Sequence, residues 1–302
     1  MNDQKKGFVL LFTLTFILGL TALTLQFHRY CQRRLARIRW QIDQAQAAML
    51  VRTGVAIAQE ILKADKNNYD WLAEPWHQER IFQVSGGEIK LNIEDESGKI
   101  NLNGILQAEG KVNTQLKDIG ERLLVVLGLS HNLLDCLLDW IDEDEFPRVF
   151  GAESTYYRNL TPSYMAANQA LFSAREISLI KGFEKSVLEG NEEKPGLLNL
   201  VTVVTDSKIN INTCHPVILR AMGFTEPEVN EILAQREIGP LEEAYLMRIN
   251  RNVFLANRGL TVFRSGYFSV ITEVKTVSGL TDKRRTFLSK TEEVRVIGGE
   301  PI

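Results

Sequence analysis

The sequence predicts an α+β protein in which one long N-terminal helix packs on a small antiparallel sheet and a large helical block is inserted between the sheet's strands. Three observations carry this expectation. No proline occurs before Pro75, so nothing breaks a helix over the first 64 residues. Alternating apolar stretches occur near 80–103 and again near 265–299. Between them, from about Thr114 to about Asn257, the pattern is mostly helical. A helical block inside one small sheet is an insertion within an α+β domain. At 302 residues the chain is long enough for more than one packed core.

The first element begins in KKGFVLLFTLTFILGLTALTLQF. Residues 8–27 carry no charge, and about 20 helical residues span roughly 30 Å, the thickness of a bilayer core. A soluble core helix of that length would show a polar stripe, and this one does not. The following QFHRYCQRRLARIR lacks the small-residue cleavage pattern of a secretion signal, so the sequence predicts a retained membrane helix. Leu35, Ile38, Ile42, Ala45 and Met49 then recur in steps of three and four, until Arg52 interrupts the stripe. One rod is expected to about Ala64, stopped by the polar DKNN at 65–68; two helices joined near Tyr30 are the alternative. Lys5 and Lys6 precede the apolar run, while Arg29, Arg33, Arg34, Arg37 and Arg39 follow it. A positive-inside count therefore puts the C-terminal side in the cytoplasm.

Ile89, Leu91 and Ile93 alternate with polar residues, as do Phe268, Val270, Thr272 and Val274 with theirs, and a Gly- and Asp-bearing turn falls at 278–282. Trp71 and Trp76 are expected to pack the rod's lower end onto the head. The chain also echoes itself. KINLN at 99–103 returns as KININT at 208–213, and each copy is followed by a helix and then by an apolar-Gly-apolar triplet, Leu127-Gly128-Leu129 and Met222-Gly223-Phe224. The second copy resembles a helix-hairpin-helix unit, with Asn212 or Thr213 as cap, Pro216 in the first turn and Gly223 at the connection. Such hairpins often hold a DNA phosphate. Here Thr225 takes the place of the second hairpin glycine, and Glu226 and Glu228 follow, so the unit reads as a packing device and no nucleic-acid partner is expected. The near balance of 35 basic and 38 acidic residues points the same way.

The chemically pointed stretch is LLDWIDEDEFPRVFGAESTYY, with Asp139, Asp142, Glu143, Asp144 and Glu145 at the end of an apolar helix. Carboxylates there face the negative end of the helix dipole and one another, and a cation would relieve both. Hard oxygens in a loop suit Ca²⁺. Asp142, Asp144 and Glu153 stand at the first, third and twelfth places of an EF-hand-like spacing, but Pro147 holds the sixth place, where glycine belongs; a solvated acidic loop is the alternative. His28, His77, His131 and His215 are scattered, and no nucleophile elbow, P-loop or G-x-G-x-x-G is present. No enzyme is expected. Cys31, Cys136 and Cys214 make no disulfide framework; a Cys136–Cys214 bridge and two small buried core residues both remain open.

The short leader ending in two lysines and Gly7, ahead of a long uncharged helix, resembles a type IV prepilin signal. That resemblance implies cleavage by prepilin peptidase between Gly7 and Phe8, with methylation, and retention of the helix. Most pilin-like proteins carry glutamate at the fifth mature position; here it is Phe12. Length, an apolar fifth position, DWIDED…GAESTYY and ININT together resemble the protein K family of type II secretion minor pseudopilins. The family implies a prepilin leader at 1–7, a pilin helix at 8–66 with its transmembrane part at 8–27, pseudopilin sheet at 67–110 and 261–302, and an inserted helical domain at 111–260. It implies Ca²⁺ held by Asp142, Asp144 and Glu153, with Asp139 and Glu145 as weaker candidates. It also implies a single-pass inner-membrane protein with a periplasmic head, opposite to the charge count. The expected partners are the I and J minor pseudopilins and the major pseudopilin, at the tip of a filament that drives export of folded proteins. The rivals are a membrane-tethered DNA-uptake protein and a calcium-dependent adhesin on a stalk.

Overall fold

The computed structural model describes residues 2–107, 110–191 and 194–302, with side chains of the first helix from Gly7 onward. Met1 and the side chains of Lys5 and Lys6 lie outside the described residues. Helix α1 runs unbroken from Asn2 to Ala64, so there is no joint at Tyr30. Its first part is long and apolar enough to cross a membrane and touches nothing in the head. The hydroxyls of Thr13, Thr15, Thr21 and Thr24 donate back to carbonyls three or four residues earlier, which hides the polar atoms of this stretch along the helix itself.

Below the apolar part, α1 lies across an antiparallel sheet. Its strands are β1 (Arg80–Val84) and β2 (Gly87–Asp95), and, after the insert, β7 (Tyr267–Thr276), β8 (Thr281–Ser289) and β9 (Arg295–Pro301), in the order β1-β2-β7-β8-β9. Val55, Ala58 and Leu62 of α1 pack with Leu91, Ile93, Phe268, Val270 and Leu288, while Ala47, Leu50 and Val51 pack with Ile89 and Val274. Gly54 sits at the closest approach: a methyl there would lie 2.7 Å from Thr272 Cγ2. The alternation read from the sequence thus assigned the buried sheet face correctly. The rod stripe did not mark the packing face. Leu35, Ile38, Ile42, Ala45 and Met49 are exposed. At 100° per residue they lie on the side of α1 away from the sheet. Trp76, in a 3₁₀ turn at Pro75–His77, is buried edge-on against Phe268, whereas Trp71 is half-buried.

The insert leaves the sheet after β2 and returns at β7, and these two strands are neighbours. It contains β3 (Ile100–Asn101), α2 (Thr114–Val126), α3 (Leu133–Ile141), α4 (Ser154–Tyr157), α5 (Lys185–Glu189), β4 (Val201–Thr202), β5 (Ile209–Asn210), α6 (Pro216–Met222), α7 (Glu226–Ile238), α8 (Glu243–Asn257) and β6 (Thr261–Val262). Helix dominates only its two ends. Between α3 and β5, 3₁₀ turns at Ala174–Leu179 and Leu197–Asn199 join short helices and loops. There the chain is fixed by side-chain contacts rather than by periodic apolar faces.

The echo in the sequence is an echo in space. Ile100–Asn101 pairs in parallel with Val201–Thr202, and Ile209–Asn210 in parallel with Thr261–Val262. In both copies the first asparagine accepts the N–H of the residue two ahead, Asn103 or Asn212. That second asparagine donates to the carbonyl just beyond the partner strand, Val203 or Phe263. Its Oδ1 accepts a distant N–H, Leu171 in the first copy and Leu241 in the second. The helix that follows ends at a left-handed glycine, Gly128 (φ 81°) or Gly223 (φ 106°), with matching carbonyl bonds from Leu129 N–H to Leu124 and from Phe224 N–H to Leu219. Helices α2 and α6 pack against each other. The expected capping of α6 by Asn212 or Thr213 is not what forms. His215 Nδ1 accepts from Val217 N–H at 3.2 Å, and Thr213 donates instead to Asp95.

Candidate metal site

Helix α3 buries Leu134, Leu137, Leu138, Trp140 and even Asp139, and ends at Asp142. The chain then loops out through Phe146 and Val149, both more than 80% exposed, and returns over Asp139 at Gly151. A side chain there would overlap Asp139 Oδ2, so only glycine allows the return. Ala152, Glu153 and Ser154 go straight back into the core. Tyr157 follows, edge-on to Trp140 and stacked on Tyr164. This aromatic wedge fixes the level at which Glu153 sits.

The loop brings ligand oxygens of Asp142, Asp144 and Glu153 within 4.8 Å of one another. Their hydrogen bonds divide the acids of the stretch into two sets. Asp139 is engaged on both oxygens, by the backbone N–H of Arg148 (3.3 and 3.1 Å) and by its Nη1 (2.6 Å). Glu145 accepts from Ser154 Oγ and Asn168 Nδ2, bonds that hold its carboxyl below the ordinary range. Of the other acids, Asp142, Asp144 and Glu153 keep oxygens available in the loop. Glu153 is 1% exposed and neither Oε1 nor Oε2 has a partner; Asp142 is 6% exposed and its Oδ1 has none. Asp144 is exposed and uses one oxygen for Phe146 N–H. Burial, followed by the charges of Asp139 and Asp142, pushes the Glu153 carboxyl up to about 7, and burial raises Asp142. A buried carboxylate without a donor is costly, and three unpartnered buried oxygens from two residues converging on a third residue's carboxylate are what a hard cation needs. The residues present fit Ca²⁺.

A second acidic group behaves differently. Asp65, Asp70 and Glu74 also converge, but Lys290 Nζ lies 2.6 Å from Asp65 and 3.1 Å from Asp70. Ser265 N–H bonds Asp70, and Glu74 accepts from Asn67, Trp71 and Trp76. Lysine and neutral donors already do there what an ion would do. Cys136 and Cys214 are buried and free; Cys136 Sγ donates to Phe150 O.

Sequence reasoning brought together Asp142, Asp144 and Glu153, but it missed Arg148, Gly151 and Asn168. Arg148 was signalled by being the one cation among the acids of the stretch. Asn168, far along the chain, gave no local signal. The hairpin of the second copy offers no phosphate cradle. Gly223 N–H bonds Arg220 O, Thr225 and Glu228 form a capping box at α7, and Glu226 pairs with Arg220.

A membrane-length helix that continues onto an antiparallel sheet, with a helical insert between adjacent strands, is the architecture of a pilin-like, membrane-anchored assembly subunit. Residues 98–192, which hold the acidic loop, match the family described as type II secretion system (T2SS), protein K. Type II secretion system protein K of Pseudomonas aeruginosa is 28% identical over 292 residues, covering 87% of this chain and 84% of that one. The Klebsiella pneumoniae protein of the same name is 29% identical over 229 residues, 72% and 68% of the two chains. Among solved structures, the crystal structure of the GspK-GspI-GspJ complex from the enterotoxigenic Escherichia coli type 2 secretion system contains a chain that aligns with a TM-score of 0.67 at 20% identity. The alignment covers 89% of this chain and 99% of that one. These matches support a type II secretion system protein K, a minor pseudopilin of that system.

Proposed function

We propose that this pseudopilin caps the pseudopilus as a complex with the I and J minor pseudopilins and helps to start the filament that drives folded proteins across the outer membrane. The observation that carries this is α1: from Phe8 to Met49 its large apolar side chains are exposed, first all round and then as a stripe turned away from the head. Such a surface needs lipid at one end and neighbouring helices beyond it. A glutamate at position 12 could pair with a neighbouring subunit's N-terminal amine. Phe12 cannot, which suits a subunit with nothing above it. Prepilin peptidase would cut between Gly7 and Phe8, leaving an inner-membrane anchor with a periplasmic head above the major pseudopilin. Extraction and assembly, rather than loop charges, would then fix the orientation. The intact mass of the protein recovered from cells tests this. A chain starting at Phe8 is expected; one starting at Met1 or beyond residue 27 overturns the reading.

The head is a structural part and not a catalyst, and Ca²⁺ held by Asp142, Asp144 and Glu153 would rigidify it. An ion that binds only the native state stabilises it by about 2.7 kcal/mol at a hundredfold excess over Kd. A chelator should therefore lower the melting temperature of the head; superimposable melting curves would remove calcium. Tight, salt-sensitive DNA affinity in a filter-binding assay would favour the DNA-uptake reading instead, and the internally capped, acidic hairpin argues against it.

A further inference from the structure

Resting on the calcium reading, we infer that Arg148 is the positioning residue of the cation site, acting through Asp142. One guanidinium nitrogen, Nη1, bridges Asp139 Oδ1 at 2.6 Å and Asp142 Oδ2 at 2.5 Å. The two oxygens of Asp142 are thereby divided: Oδ2 is held by Arg148, and Oδ1 is left buried without a partner, in the group with Asp144 and Glu153.

Asp139 is the anchor of this arrangement rather than a ligand. It is 0% exposed, the chain at Gly151 closes over its Oδ2, and the Arg148 backbone N–H fixes it a second time. Asp139 therefore has donors but no room, whereas Asp142 has room on one side only. The geometry also decides between two roles. A competitor would occupy the oxygens that the ion wants, but Arg148 makes no hydrogen bond with Asp144 or Glu153 and leaves Asp142 Oδ1 untouched. It holds a ligand from behind. Such outer contacts orient metal-binding carboxylates, and removing them commonly costs 10–100-fold in metal affinity. Its positive charge also moderates the repulsion among Asp139, Asp142, Asp144 and Glu153 before the ion arrives.

The test is calorimetric titration of CaCl₂ into the full chain in detergent, comparing the native protein with R148M, R148K and D139N. Near-UV circular dichroism of each ion-free protein serves as the check on folding. R148M is expected to bind Ca²⁺ 10–100-fold more weakly. R148K should recover part of the loss, because an ammonium is also a single cationic nitrogen that can bridge the two carboxylates, but its flexible stem lacks the planar guanidinium that is preorganised for them. D139N, which keeps an acceptor for Arg148, should lose less than R148M. Equal or tighter binding by a folded R148M overturns the inference. Should R148M fail to fold, unaltered affinity in both R148K and D139N overturns it as well. If the native chain gives no Ca²⁺ isotherm, the calcium reading falls with the inference; if it binds and R148M binds equally well, the inference falls alone.

Discussion

The two copies within the insert share a frame and differ in what hangs from it. In the second copy, α7 is followed by a short connection, and Asn212 catches the chain at Leu241. In the first, α3 ends at Ile141 and the equivalent asparagine, Asn103, catches the chain at Leu171. The excursion between Ile141 and Leu171 carries every proposed cation ligand. The frame of strand, helix, left-handed glycine and helix forms without those acids, as the second copy shows. They are an addition to a packing unit, and they bring a cost the unit itself does not need. The second copy is specialised in another direction. Its first asparagine, Asn210, reaches out of the insert to Asp70 O and Asp95 Oδ2, and also bonds Ser265 Oγ. Asn101 bonds only within the insert, to Thr205 O and Ser207 Oγ. One copy holds the head together; the other carries the loop.

The largest expected difference between the copies follows from that division. Asn210→Ala removes a fully buried amide at the junction of rod, sheet and insert, taking the side-chain donor from Asp70 O and one donor each from Asp95 Oδ2 and Ser265 Oγ. It should cost about 3 kcal/mol in denaturant unfolding. Asn101→Ala, against carbonyl and hydroxyl partners nearer the surface, should cost about 1 kcal/mol. Equal losses would mean that the second copy has no special part in seating the insert.

Next in size is the conflict between loop and frame. Glu153→Gln replaces a buried, unpartnered carboxylate with a neutral group that can donate to Asp142 Oδ1. In the absence of Ca²⁺ it should raise head stability by roughly 1 kcal/mol. In the presence of Ca²⁺ it should abolish most of the ion-dependent rise in melting temperature. A variant destabilised under both conditions would show that Glu153 serves the core and not an ion. The expected exchange of stability for a binding site is common where function is added to a fold.

How much of this was legible depended on the range of the interactions. The rod, the sheet face and the duplicated motif are local patterns: an uncharged run, alternation at 89–93 and 268–274, and the repeat of Lys-Ile-Asn. Each survives into the structure because it is set by neighbours close in sequence: the unbroken run by helix formation, the alternation by burial of one sheet face. The stripe at Leu35–Met49 was periodic too, yet it faces away from the sheet. Periodicity reports an apolar face without naming what covers it, and here the sheet chose the face where Gly54 permits close approach. The loop acids were visible as a cluster, but which oxygens stay available was not. That is decided by Ser154, Asn168 and above all Arg148, whose placement depends on how α3 and the 146–151 turn meet. The Asp65, Asp70 and Glu74 corner makes the same point: its neutralising cation, Lys290, comes from the other end of the chain.

The smallest expected effect distinguishes the copies by their helix caps. In the first, Asn113 Oδ1 accepts the N–H of Leu116 at the start of α2, and that acceptor is the same at every pH. In the second, the acceptor is the Nδ1 of His215, which caps α6 only while that nitrogen is unprotonated. Burial, with the charges of Arg220 and Arg236, holds the His215 pKa below its ordinary 6.5. The unfolded chain therefore takes up the proton more readily than the folded one. The stability this cap contributes is complete above pH 6.5 and is lost as pH falls through the lower folded-state value. Substituting asparagine keeps the acceptor and removes the titration. His215→Asn should match the native protein within about 0.5 kcal/mol near pH 7.5 and gain on it by up to about 1 kcal/mol towards pH 5. The measurement is the difference between the two proteins' unfolding free energies across that range, since every other acid is common to both. A difference that does not vary with pH would mean that His215 caps its helix no more than Asn113 would, and that the two copies are equivalent at this position.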